Sequence, residues 1–218
     1  MTWVFSLDAP FCTGFCRCTG PLWSGPGLAS VSSPAIDILV VCLGNICRSP
    51  IGAVLLAAHL EELGVDAHVH SAGLLSSGQR VPDHGVAVMA ARGYDTTAHR
   101  SRRLSAELVG AADLIVAMAR EHVDEIVAAS AAAWDRTFTL KEIVRRGEQL
   151  GPRRAGEDLA GYVARLHAGR RRSDLAGSDP GDDVDDPMGA TRSVYERTAA
   201  EIDDLTARLA RLLAGSGD

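Results

Sequence analysis

From Ala35 onward, short apolar runs alternate with stretches of helical periodicity. IDILVVC (36–42) is a continuous apolar run of strand length, and Ser49–Leu63 behind it repeats its apolar positions at helical spacing. VDAHVHSA (65–72) predicts a second strand, followed by a helix over Pro82–Arg92 and a short one over Ser105–Val109. DLIVAMA (113–119) predicts a third strand, with a helix over Arg120–Ala129 and the short strand RTFTL (136–140) after it. RRAGEDLAGYVARLHAGRRR (153–172) reads as one further helix with arginines on its polar face. SDLAGSDPGDDVDDPMG (173–189) reads as a loop of turn residues and acids, too polar for a core. A long final helix covers TRSVYERTAAEIDDLTARLARLLA (191–214), with Val194, Ile202, Leu205, Leu209 and Leu212 near one face.

Strands separated by helices of this length predict right-handed crossovers and a parallel sheet covered on both faces. The expected fold is α/β, a three-layer sandwich with a small parallel sheet flanked by helices on both faces, flavodoxin-like and doubly wound. It spans residues 35–218 as one catalytic domain. Residues 1–34, rich in Pro, Gly, Ser and Thr without a sustained period, read as a flexible, disordered N-terminal extension.

Composition narrows the function classes. A chain of 218 residues with 46% hydrophobic content can bury a full core, and its formal net charge of -6 provides no global basic field for nucleic acid. No apolar run reaches membrane-spanning length, and the first residues lack the basic start of a secretory signal. A cytoplasmic protein without a membrane or nucleic-acid partner is expected; the oligomeric state is left open. The five cysteines are odd in number and irregular in spacing, which argues against a disulfide framework. Cys12, Cys16 and Cys18 crowd together but have no fourth ligand nearby, and the histidines other than His99 are scattered, so no metal or cofactor is expected.

The chemistry concentrates in VVCLGNICRSP (40–50). A loop joining a strand to a helix turns several backbone N–H groups toward one point, where the helix N-terminus adds partial positive charge. Gly44 and Asn45 tolerate the backbone angles such an anion nest requires. Arg48 offers a planar fork for two phosphate oxygens, and Leu43, Ile46 and Cys47 complete the cradle around the substrate. Cys42 lies at its base, where these dipoles and the Arg48 charge favour the thiolate; Ser49 can donate a hydrogen bond to the sulfur.

C-L-G-N-I-C-R-S fits C-x5-R-S, and the longer string, placed after a strand and before a helix, resembles the active-site loop of low-molecular-weight protein tyrosine phosphatases. The resemblance covers about residues 36–214 and includes SAG (71–73) and ADLIVAMAREH (112–122). It implies a phosphatase acting on phosphotyrosine in proteins, with Cys42 as nucleophile, Arg48 as phosphate ligand and Asp186, directly before Pro187 in VDDPMG, as general acid. It also implies a hydrogen-bonded support made of Asn45, Ser49, Ser71 and His99. His99-Arg100 lies in a stretch similar to the family's His-x-x-Arg segment, with the arginine following at once. A cysteine at the position of Cys47 can form a reversible disulfide with the nucleophile in that family.

The family's aromatic substrate wall is missing here. A protein arginine phosphatase is the alternative on the same fold, although that branch has a threonine where this chain has Ile46. A small-thiol-coupled arsenate reductase and a non-catalytic phosphate-binding module are the remaining readings.

Overall fold

The computed structural model describes residues 36–75, 77–175 and 180–215. The predicted extension at residues 1–34, with Cys12, Cys16 and Cys18, lies outside them. Four parallel strands, β1 (Ile36–Cys42), β2 (Ala67–Gly73), β3 (Leu114–Ala117) and β4 (Thr137–Thr139), form one sheet in the order β2-β1-β3-β4. β1 pairs with β2 on one side and β3 on the other, with Val40 opposite both Ser71 and Val116. The chain thus winds outward in both directions from β1. A crevice opens at the C-terminal end of that strand, where Cys42 is the last residue.

Both faces of the sheet are covered, as the continuous apolar runs require. Ile38 and Val40 face one core with Leu114, Val116 and Phe138, under α1 (Arg48–Glu62), α5 (Leu140–Leu150), α6 (Leu159–His167) and α7 (Arg192–Ala214). α2 (Asp83–Ala90) adds Val88 and Met89 to that side. Leu39 and Val41 point the other way, against α3 (Ala106–Ala111) and α4 (Arg120–Ala129). Each fully buried aliphatic side chain contributes about 2 kcal/mol, so β1 is among the most firmly anchored segments, and it carries the cysteine. α1 lies close to the sheet because residue 52 is glycine; a Cβ there would sit 2.5 Å from Met118 Cε and 3.4 Å from Val40 Cγ1. No described helix is long and apolar enough to cross a membrane.

The fold class and the predicted strands stand, while the C-terminal half differs in several respects. α5 falls in residues to which the sequence reading assigned no element. Thr139 caps it by accepting from Glu142 N–H, and Leu140, Ile143, Val144 and Gly147 form its buried stripe. The helix expected over 153–172 is shorter, because Gly156 has φ 73° and Asp158 caps the chain by accepting from Gly161 N–H. Arg170 is not on an exposed face. Its guanidinium is buried against the Trp134 and Phe138 rings, each centroid 4.0 Å away, and pairs with Glu142 at 2.7 Å. In α7 it is Tyr195, not Val194, that enters the core.

Candidate active site

β1 ends at Cys42 and α1 begins at Arg48, so only five residues turn the chain through the cradle. Asn45, at φ 52°, takes the left-handed conformation; Gly44 does not, which corrects half of the expectation. The Asn45 N–H donates to Cys42 Sγ over 3.2 Å, and Ser49 Oγ lies 3.0 Å from the same sulfur. Ser49 Oγ is also 3.5 Å from Ala72 O, so its single proton serves the sulfur better. Two donors thus converge on Sγ. The N–H groups of Gly44, Ile46 and Cys47 have no protein acceptor among the described residues, which leaves them to an incoming oxyanion.

The support is built around Asn45, which is fully buried. Its Nδ2 donates to Ser49 Oγ (2.9 Å) and Ser71 Oγ (2.8 Å), its Oδ1 accepts from Arg102 N–H (2.9 Å), and its carbonyl lies 2.8 Å from His99 Nε2. All four residues expected in the support are brought together. The arginine three residues after His99 is Arg102, so the His-x-x-Arg spacing is met by that residue and not by Arg100. Gly73 closes the frame from β2, since a Cβ there would lie 2.7 Å from Asn45 N and 2.8 Å from Asn45 Cβ.

Arg48 is almost fully buried. Its Nη1 donates to Val184 O (3.0 Å) and its Nη2 to Asp186 Oδ2 (2.5 Å), while Nε is buried without a partner. A buried guanidinium with an unspent donor is poised for an anion. The Asp-Pro loop is no merely solvated acidic run. Val184 is buried with its N–H on Met118 O, Asp183 accepts from Arg120 N–H, and Asp186 accepts from Met188 N–H. These bonds bring Asp186 to the cradle. Together with Leu43, Ile46, Leu75 and Met188 it bounds a cavity of about 100 Å³ over Cys42.

Cys42 and Cys47 are both free. Cys47 Sγ lies 3.4 Å from Tyr195 Oη, and burial pushes its thiol up to about 11, so it is a neutral neighbour of Cys42. Two features escaped the sequence reading. His122, given no role there, is fully buried, neither ring nitrogen has a hydrogen-bond partner among the described residues although Glu121 Oε1 lies 3.5 Å from Nε2, and burial with the nearby Arg48 charge pushes it down to about 4. His68 and His70 are not scattered either, because alternation on β2 brings both to Asp37 of β1, at 2.8 and 2.7 Å. Arg102 donates to Nδ1 of His70, so in this hydrogen-bonded set the ring nitrogen facing Asp37 carries the proton.

Residues 37–151 match the model of the family described as low molecular weight phosphotyrosine protein phosphatase. The protein-arginine-phosphatase of Bacillus subtilis (strain 168) is 31% identical over 180 residues, which is 82% of this chain and 97% of that relative. A low molecular weight protein-tyrosine-phosphatase of Escherichia coli (strain K12) is 37% identical over 128 residues, 58% of this chain and 84% of its own length. Among solved structures, an arginine phosphatase mutant with a phosphorylated active-site serine superposes with a TM-score of 0.61 at 28% identity, covering 80% of this chain and 93% of its own. With the cradle, the sheet order and these likenesses in agreement, the chain belongs to the low-molecular-weight phosphotyrosine protein phosphatase family.

Proposed function

We propose that the protein hydrolyses phosphotyrosine in proteins through a phosphocysteine intermediate. The observation that carries the substrate choice is the apolar mouth. Leu43, Leu75 and Met188 are three of the large apolar side chains left exposed among the described residues, and all three line the cavity over Cys42 together with Ile46. Such a rim suits the faces of a phenyl ring and offers no acceptor for a guanidinium other than Asp186.

In the first step Cys42 Sγ attacks phosphorus while the loop amides and Arg48 hold the equatorial oxygens. The S–P bond forms, the P–O bond to the tyrosyl oxygen breaks, and Asp186 gives that oxygen its proton. Arg48 binds the phosphoryl group with the guanidinium that now holds the Asp186 carboxylate, so substrate entry releases that carboxylate to take up from solvent the proton it gives to the leaving oxygen. Water then attacks phosphorus, yielding a proton to Asp186, and the sulfur departs as a thiolate stabilised by Asn45 N–H and Ser49. Two free thiols in the cradle suit a reducing compartment, and a cytoplasmic location belongs to this reading.

Hydrolysis of phosphoarginine is the second reading, favoured by the relative matched over the larger share of this chain. Paired phosphotyrosine and phosphoarginine peptides test the choice. Phosphotyrosine is expected to turn over faster, with Ile46→Thr shifting preference toward phosphoarginine; a wild-type preference for phosphoarginine would reverse the assignment. Hydrolysis of p-nitrophenyl phosphate, lost in Cys42→Ser, separates an enzyme from a phosphate-binding module.

A further inference from the structure

A second cavity, of about 410 Å³, lies between α1, β2 and the segment 99–102, and shares no lining residue with the cavity over Cys42. One side is formed by His70, His99, Arg100 and Arg102, the other by apolar residues that include Pro50 and Val54. None of the lining residues is a carboxylate, although the chain as a whole carries a net charge of -6. The carboxylate bonded to this group, Asp37, holds His70 Nε2 and is not part of the lining.

The basic side has donors to spare. Among the described residues Arg100 uses only Nη1, on Thr97 O and His99 O. Among the described residues Arg102 uses Nε on Ser71 O and Nη2 on His70 Nδ1, which leaves Nη1. An anion placed among guanidinium groups that already have fixed positions gains charge-assisted hydrogen bonds at little cost in ordering. The wall of α1 adds room for an apolar body. The same segment touches the catalytic loop, because Arg102 N–H and His99 Nε2 hold Asn45, whose N–H and side chain reach Cys42 and Ser49.

We propose that this cavity binds an organic anion, its carboxylate or phosphate group held by Arg100 and Arg102 and its apolar part set against Pro50 and Val54, with occupancy felt at Cys42 through Asn45. The site is independent of which phosphorylated residue is the substrate.

The probe is naphthalene-2-carboxylate, titrated into full-length, nitrogen-labelled protein whose cradle is filled with vanadate. Saturable amide shifts are expected at Val54, Ser71 and Arg100, together with movement of the Asn45 side-chain amide. Arg100→Glu, which makes no bond to the catalytic loop, is expected to weaken binding about tenfold or more while p-nitrophenyl phosphate hydrolysis continues. Ala57→Trp, which fills the cavity from α1, is expected to abolish the shifts. Equal binding of the neutral alcohol naphthalene-2-methanol, or no saturable shift at millimolar concentration, would overturn the anion site. Saturable binding that leaves Asn45 unmoved would overturn the coupling.

Discussion

Acidifying the protein tests whether His122 is held neutral beside the catalytic arginine. Its ring is fully buried, neither nitrogen has a hydrogen-bond partner among the described residues although Glu121 Oε1 lies 3.5 Å from Nε2, and it is pushed from its ordinary 6.5 down to about 4, first by burial and then by the charge of Arg48. An imidazole that ionises at 6.5 when unfolded and at about 4 when folded binds its proton about 3 kcal/mol less well in the native state. The sign follows from which state takes the proton first. As pH falls through 6.5 the unfolded chain becomes protonated and the native one does not, so stability drops from there to about pH 4 and this contribution levels off below. Urea unfolding at about pH 7 and about pH 4.5, comparing wild type with His122→Phe, isolates the effect, since shifted acids such as Asp37 and Glu157 are common to both proteins. Wild type should lose about 2 to 3 kcal/mol more than the variant over this interval. Parallel losses in the two proteins would refute the reasoning, because they would mean that His122 ionises in the fold as readily as outside it.

Cys42→Ser should abolish turnover, and Asp186→Asn should slow hydrolysis of p-nitrophenyl phosphate by about 10² to 10⁴-fold, measured in steady state. Asn45→Gly keeps access to φ 52° but deletes the side-chain bonds to Ser49, Ser71 and Arg102. It should lower kcat/KM by about 10 to 100-fold, with an unchanged circular dichroism spectrum. Gly73→Ala forces a methyl within 2.7 Å of Asn45 N; a stability loss of about 1 to 3 kcal/mol in urea unfolding and a larger loss of activity are expected.

The half of the chain that surrounds the cradle was legible because strand period, loop composition and spacing pointed the same way. IDILVVC has a burial pattern that only a covered parallel strand explains, and the string from Cys42 to Ser49 is long enough to fix which side chains meet. Residues distant in sequence were harder. α5 escapes a reading of the sequence because its six polar residues outnumber its four buried positions, although Leu140, Ile143, Val144 and Gly147 keep the i, i+3, i+4, i+7 spacing and Gly151 follows. Val184 was lost among acids, yet its buried backbone steers Asp186 to Arg48. Arg170 looked like a surface residue because nothing local announces the Trp134 and Phe138 rings or Glu142. His122 owes its shift partly to Arg48 and Asp186, which lie far from it in the sequence.

The contact between Arg48 and Asp186 gives the protein an internal rival for its own product. Inorganic phosphate must compete with a tethered carboxylate, present at high effective concentration, for one guanidinium. Each time the carboxylate wins, the spent anion is expelled and the cradle resets, so the ion pair clears the site between turnovers at the cost of weaker grip on any simple oxyanion.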